Sequence, residues 1–275
     1  MQEALRRRVF VVVLVLSVGF LVLYGLGAKL AFGETNGFAD RAAQTGLDSR
    51  TIAGATILGL AMFAILFLGT ILVVFLTLGA VRGDAERGLL QPLLVRPVSR
   101  PALLAARFIG AAVTAGAYVA LIFLGALLIT RATGDYWPDR VVVPMVQLAA
   151  AVAIMAAISL LGSIWLSGTA NGIAVFMVFG AGLTAGLLGQ IAKALGAETL
   201  ESISRTLQWA LPFEALYQDA LSGLTADASG VTEQIVRLGP FGGAQAAGPL
   251  LLPYAVLYVV IIGALAAAGF RRRDL

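Results

Sequence analysis

The chain has 275 residues, of which 60% are hydrophobic and 12% are charged, with a formal net charge of +4. Soluble globular domains are about 45–50% apolar and about 25% charged, so this composition excludes a soluble globular protein and indicates an integral membrane protein. The sequence contains no cysteine and no histidine. Disulfides, thiolate chemistry and the commonest general base and metal ligand are therefore excluded, and we expect no catalytic residue and no metal site.

Six windows are long and apolar enough to cross a membrane, since a hydrocarbon core about 30 Å thick requires about 20 apolar residues. Their apolar residues surround each predicted helix instead of forming one stripe, as is typical of helices in lipid or in a bundle. The sequence therefore predicts an all-α integral membrane fold with six transmembrane helices in a single domain, residues 1–275. The predicted spans are residues 9–32, 52–80, 108–130, 141–166, 170–192 and 249–270.

The first window resembles a signal peptide in one respect, because Arg6, Arg7 and Arg8 precede it. It is longer than the apolar part of a signal peptide and lacks a clear cleavage site of small residues. We therefore expect it to remain in the protein as the first membrane helix.

Basic residues are unevenly distributed between the two sides of the predicted membrane domain. Both termini and the loop between helices two and three together carry 11 of the 19 basic residues but only 4 of the 15 acidic ones. Because positively charged loops stay inside, both termini are expected to be cytoplasmic. The segments 33–51, 131–140 and 193–248 would then face outward.

The predicted spans carry no internal Asp, Glu or Arg, and Lys29 lies near the outer end of the first. Ion-coupled transporters and proton relays usually keep an ionisable group at membrane depth. The chain also lacks the G-x-x-x-x-G-K-[ST] phosphate loop of nucleotide-driven proteins. Any energy for transport would therefore come from a separate chain.

The loop between helices two and three predicts a short amphipathic helix over residues 84–94. Asp84 suits its first turn, where a carboxylate accepts bonds from free backbone N–H groups. Pro97 would end this segment, and Ser99 would cap a third helix that starts at Arg100. One face gathers Leu89, Leu90, Leu93 and Leu94. These leucines either lie in the inner lipid interface or fit a groove on a cytoplasmic partner.

In the fifth predicted span, Gly182 and Gly186 form a G-x-x-x-G pattern. Small residues at this spacing allow helices to approach closely. We expect ordinary helix packing at this face, with a neighbouring helix or a second subunit as the partner.

The outer segment, residues 193–248, predicts two amphipathic helices that lie on the outer interface or dip partly into it. In the first, Glu201 and Arg205 form an i,i+4 pair, and a separate apolar face holds Leu200, Ile203, Leu207 and Ala210. The second begins near Pro212 and ends near Gly223. Its apolar face holds Phe213, Leu216, Tyr217, Ala220 and Leu221.

The run Glu86, Gly88, Leu89 followed by Pro97-Val98-Ser99-Arg100 resembles the E-x-G-T-L…P-V-S-R pattern that ABC-2 type permeases carry between their second and third helices. Six spans, cytoplasmic termini and a long outer segment before the last helix resemble the type V-like six-helix members of this family. The chain departs from the pattern at Leu89, where the family has threonine, and at Arg107, where lysine is frequent.

The resemblance implies the permease subunit of an ATP-driven ABC transporter, with export as the expected direction. It implies two copies of a cytoplasmic ABC ATPase that bind ATP and Mg, and no cofactor in this chain. The ATPase would dock on Asp84, Glu86, Arg87, Gly88, Leu89 and Leu90. A hinge into helix three would consist of Pro97, Ser99 and Arg100.

The resemblance further implies a dimer with a second permease copy or a related chain, in the lipid bilayer of a prokaryotic plasma membrane and without nucleic acid. The second amphipathic helix of the outer segment, with Phe213, Leu216, Tyr217, Ala220 and Leu221, would act as an outer gate; a packing ledge without a gating role is the alternative. A non-transporting assembly or signalling protein and an intramembrane enzyme remain alternative classes, although the enzyme would need a Ser, Thr or Tyr nucleophile without a visible base.

Overall fold

The computed structural model describes residues 2–43, 49–78, 100–226 and 246–271. Within these ranges the chain is helical, with no β-strand. The helices are α1 (Gln2–Ala43), α2 (Ser49–Thr77), α3 (Arg100–Gly134), α4 (Val142–Gly162), α5 (Gly168–Leu195), α6 (Glu198–Ala210), α7 (Pro212–Ser222) and α8 (Leu251–Arg271), with a 3-10 turn at Gly223–Thr225.

Six of these helices, namely α1 to α5 and α8, are long and apolar enough to cross a membrane. This confirms the predicted all-α fold with six membrane helices. The two shorter helices, α6 and α7, lie between the fifth and sixth long helices, where the sequence predicts two amphipathic helices.

The first helix differs most from its predicted span, because α1 continues to Ala43, beyond the apolar window that ends at residue 32. Five of the 11 additional residues are polar or charged and none is proline, so the backbone hydrogen bonds of the helix continue without interruption. Hydropathy therefore located the membrane-crossing part of α1 but not the end of the helix.

The centre of the bundle is α4, which packs against α2, α3, α5, α7 and α8. Leu148, Ala151, Val152 and Met155 on α4 are fully buried. By contrast, α1 packs mainly against α2 and α3, and most of the apolar side chains in its described part, residues 11–33, are exposed. This arrangement suits a membrane, where lipid solvates peripheral apolar side chains and close packing, more than hydrophobic burial, holds the helices together.

The bundle has two distinct ends. At one end, Tyr136 of the α3–α4 connection packs on Gly54 near the start of α2 and donates a hydrogen bond of 2.9 Å to the Leu224 carbonyl. We call this the hairpin end. At the opposite end, called the basic end, the start of α3, the α4–α5 connection and the end of α8 share an apolar cluster of Leu104, Ile164, Ala266 and Phe270.

Candidate functional site

The candidate site is a helical hairpin formed by α6 and α7, which enters the bundle from the hairpin end. A single residue, Leu211, separates the two helices, and Pro212 suits the start of α7 because a first-turn residue needs no hydrogen-bonded N–H. At the tip, the Phe213 ring stacks on Phe179 of α5 with 5.7 Å between ring centroids. Phe179 precedes Leu195, the end of α5, by 16 residues, or about 24 Å, so the hairpin reaches about halfway along α5.

The predicted gate residues all lie on α7 and are buried within the bundle. They are Phe213, Leu216, Tyr217, Ala220 and Leu221. Pro212, Glu214 and Gln218 are buried as well, so α7 is enclosed on most of its circumference by α2, α4, α5 and α8. The predicted placements, on the outer interface or dipping partly into it, therefore did not anticipate that α7 is enclosed within the bundle.

The face of α6 that packs most closely on α5 is not centred on the predicted apolar residues. The face that contacts α5 passes through Ser204, which is 2% exposed, whereas Ile203 is 48% exposed. The Ser204 hydroxyl donates a hydrogen bond of 2.7 Å to the Ala185 carbonyl. The small serine allows α6 to approach α5 closely, while lipid can solvate the outward-facing isoleucine.

Three glycines of α5 create the space that the hairpin occupies. A methyl group at Gly182 would overlap the Phe213 ring, and one at Gly186 would overlap the Glu214 carboxylate. At Gly189, the ideal Cβ position lies 2.5 Å from the Ser204 hydroxyl oxygen. The predicted close packing at Gly182 and Gly186 is confirmed, and the packing partner is the hairpin of the same chain.

Glu214 is the residue that sequence reasoning missed. Its side chain is 0% exposed, and its Oε1 accepts a hydrogen bond from the Gln218 amide. Its Oε2 has no hydrogen-bond partner among the described residues. Burial raises the pKa of the Glu214 carboxyl to about 8, and the hydrogen bond from Gln218 opposes this shift only in part.

Two features of the sequence could have identified Glu214. It pairs with Gln218 at a spacing of four, and the facing α5 carries Gly182 and Gly186 at the same spacing. Matching small residues on one helix with larger ones on another is a signal of close contact. In isolation, however, Glu214 and Gln218 resemble the solvated side of an amphipathic helix.

Polar contacts attach the hairpin to α4 and α8. The Tyr254 and Tyr258 hydroxyls of α8 donate hydrogen bonds of 2.5 and 2.9 Å to the carbonyls of Trp209 and Ala210, respectively. These carbonyls end α6, where intrahelical partners are missing. On α7, the Asp219 carboxylate accepts hydrogen bonds from Gln147 of α4 and from the backbone N–H of Ala247.

At the basic end, a buried polar cluster joins the ends of three helices. The hydroxyls of Thr77 and Ser159 lie 2.6 Å apart, and the Asn171 amide donates a hydrogen bond of 2.9 Å to the Ser159 carbonyl. The cluster thus connects the last residue of α2 with the end of α4 and the start of α5. It is adjacent along the chain to the docking loop, by which we mean the segment 79–99 that follows α2 and contains the predicted docking residues.

We expect Asn171→Ala to lower the free energy of unfolding by about 1–2 kcal/mol, because the α4–α5 hydrogen bond disappears and buried groups lose a partner. Thr184→Ala is the control, since Thr184 is exposed and bonds only to Gly180 of its own helix. Denaturant titration of both variants in mixed micelles would measure the difference. Equal losses in the two variants would contradict a stabilising role for the cluster.

The predicted docking residues Asp84, Glu86, Arg87, Gly88, Leu89 and Leu90 lie outside the described residues, as do Pro97 and Ser99. Arg100, the last predicted hinge residue, is the first residue of α3. Across residues 2–43, 49–78, 100–226 and 246–271, no group of three or more acidic side chains is placed to hold a metal ion.

Comparison with known proteins gives one family. A family model described as "ABC-2 family transporter protein" matches residues 1–275, so the match covers the whole chain. No curated protein matches it significantly.

Proposed function

Because the chain belongs to the ABC-2 transporter family, we propose that it is the permease of an exporter whose gate at the hairpin end is opened by a separate ATPase. Membership makes the chain a multi-pass membrane permease subunit of an ABC transporter, which is a transport component and not itself a catalyst. Family members associate with an ABC ATPase. The direction of transport, the coupling route and the gate belong to the proposal.

The observation that carries the proposal is the separation of the two ends of the bundle. The α6–α7 hairpin fills the core at the hairpin end, where Phe213 and Tyr217 are fully buried. The segment 79–99, which contains the proposed docking residues, joins the end of α2 to the start of α3, and both of these helix ends lie at the opposite end of the bundle. A plug at one end and a site of energy input at the other are what an ATP-driven gate requires.

The basic end is proposed to face the cytoplasm of a prokaryotic cell, with both termini on the same side. The arginine-rich loops support this orientation, because basic residues are retained on the inside. The hairpin would then close the outer side, and cargo would leave through it. Export is the direction that this orientation supports.

Coupling is proposed to start at the docking residues Asp84, Glu86, Arg87, Gly88, Leu89 and Leu90. ATP and Mg would bind to the partner ATPase, in two copies, and a second copy of this chain or a related permease would complete the pore. The segment Pro97, Ser99 and Arg100 would act as a hinge that turns displacement of the loop into a tilt of α3.

The fold offers a route from α3 to the hairpin. Helix α3 contains 35 residues, so it is a rod about 50 Å long that reaches from the basic end to the hairpin end. The connection that follows it contacts the end of α7: the Tyr136 hydroxyl donates to the Leu224 carbonyl, and the Arg140 N–H donates to the Gly223 carbonyl at 3.1 Å. A tilt of α3 would therefore pull on the outer end of α7.

We expect Glu86→Ala to weaken docking of the ATPase by about 2 kcal/mol, a loss typical of a central interface residue and equal to about 30-fold in affinity. Co-purification of the ATPase and ATP hydrolysis by the reconstituted complex would both measure this. Glu198→Ala provides the control, because Glu198 starts α6 at the other end of the bundle and is exposed. If the Glu86 variant binds and stimulates the ATPase as the control does, the loop does not mediate coupling.

A further inference from the structure

The Glu214 carboxyl group lies in a part of the bundle where the neighbouring stretches of the long helices carry no basic side chain. The sequence of α5 from residue 168 to 192 contains no ionisable side chain, and neither does α4 or residues 51–77 of α2. Packing against Gly186 encloses the carboxylate so tightly that a methyl group on that glycine would overlap it. The acid therefore lies in a low-dielectric environment with little free volume.

The other titratable groups around α7 do not neutralise Glu214. On α6, Glu201 and Arg205 form an exposed ion pair at 2.9 Å. On α7 itself, Tyr217 adjoins Glu214, and its pKa is raised by burial and then by the Glu214 charge. The remaining groups lie toward the ends of the surrounding elements. Arg50 is at the start of α2, Lys193 is in the last turn of α5, and Glu198 begins α6. Tyr254 and Tyr258 are near the start of α8, Asp219 is on the outer half of α7, and Asp139 and Arg140 are in the α3–α4 connection.

An ionised carboxylate in this position would be unfavourable. One oxygen receives the Gln218 amide, but Oε2 has no donor among the described residues, and a buried charge without a partner is far more costly than a buried neutral acid. A metal ion or an organic cation needs volume and further ligands. A proton needs neither.

We propose that Glu214 is a proton-binding site that is occupied while the hairpin is inserted and that releases its proton when the hairpin moves outward. Binding of the proton follows from the enclosure of Glu214. Release on opening rests on the proposed gating function. Opening would then be linked to proton exchange with the solution at the hairpin end, which adds a pH dependence that the ATPase alone does not provide.

The sign of the linkage follows from the pKa, which rises from an ordinary 4.5 to about 8 in the inserted state. The inserted state binds the proton more tightly than the open state. The stability that proton binding adds to the inserted state is therefore complete below the ordinary pKa of 4.5. It is lost as pH rises through about 8. Between these values, opening releases one proton and becomes easier as pH increases.

Infrared spectroscopy of the full chain in lipid nanodiscs tests proton binding without an ATPase or a cargo. The wild-type chain is expected to show the carbonyl band of a protonated carboxylic acid at neutral pH, and Glu214→Gln should remove it. Glu201→Gln is the matched control, since it makes the same change at an exposed position of the same hairpin. The absence of this band from the wild-type chain, or its persistence in Glu214→Gln, would overturn the proposal.

Thiol labelling tests the linkage to opening. Ser204→Cys places the sole cysteine of the chain at a buried position, and Ser202→Cys, at an exposed position, corrects for the pH dependence of thiol reactivity. The corrected labelling rate should rise by up to about tenfold per pH unit between neutral pH and about pH 8, and it should become independent of pH when Glu214→Gln is added. If the corrected rate is independent of pH in the chain that retains Glu214, proton release on opening is overturned. The labelling result does not depend on the Glu86 experiment. If Glu86→Ala turned out not to affect the ATPase, the labelling result would still stand.

Discussion

Oxidation of a chain that carries Gly189→Cys and Ser204→Cys is expected to fix the hairpin to α5 and to stop ATP-driven turnover. The ideal Cβ position at Gly189 lies 3.5 Å from the Cβ of Ser204, and disulfides form at Cβ separations of about 3.5–4.5 Å. The native sequence contains no cysteine, so no other thiol competes for the bond. Because α6 and α7 are joined by one residue, a bond to α6 also restrains α7.

The measurement is ATP hydrolysis by the permease reconstituted with its ATPase, under oxidising and then reducing conditions. Oxidation should reduce the rate to that of the ATPase without permease, and a reductant should restore it. Loss of alkylation by a maleimide reports that the bond has formed, and each single-cysteine variant controls for the substitutions. Full turnover with the disulfide intact would show that the hairpin is not a gate.

The six membrane helices were predictable from the sequence because each rests on a local property, a run of about 20 apolar residues. The end of α1 was not predictable in the same way, since residues 33–43 stay helical without being apolar. The short helices α6 and α7 were recognised from their periodicity. Their depth in the bundle was not, because periodicity describes the faces of a helix and not what covers them.

The site shows why burial is difficult to read from a membrane protein sequence. On α6, the exposed Ile203 and the buried Ser204 reverse the pattern of a soluble protein, because lipid accepts the isoleucine and close packing needs the serine. On α7, Glu214 is buried for a reason that lies on α5, where Gly186 makes room for it. No property of residues 212–222 alone reveals this. The docking residues Asp84 to Leu90 remain a prediction supported by the resemblance and by membership of the family.

The hairpin and the basic end are connected by helices that share packed and hydrogen-bonded junctions. Thr77, Ser159 and Asn171 join α2, α4 and α5 near the docking loop. Helix α4 then contacts α7, and Gln147 of α4 donates to Asp219 of α7. Displacement at the basic end therefore has two routes to α7, one through α4 and one through α3. Either route requires that α7 keep its place against α5 in the proposed closed state.

Gly186→Leu is expected to expel the hairpin and to produce the largest loss of stability among substitutions in α5. The leucine would occupy the space of the Glu214 carboxylate and the Gln218 amide, and the backbone of α5 cannot retreat without moving the whole helix. Overpacking of a core usually costs about 1–3 kcal/mol and sometimes more. Because eight residues of α7 are buried together, we expect about 3 kcal/mol or more.

Gly180→Leu is the matched control on the same helix. An ideal Cβ at Gly180 meets no atom within 4 Å in the described part of the chain, so this variant should unfold as the wild type does in denaturant titration. Adding Glu214→Ala to Gly186→Leu should recover part of the stability, because the two side chains compete for one space and their effects are not additive. Thiol labelling of Ser204→Cys should become faster when Gly186→Leu is added but not when Gly180→Leu is added. Equal stability of the Gly180 and Gly186 variants would mean that the hairpin does not depend on the glycines of α5, and the closed gate would then need another support.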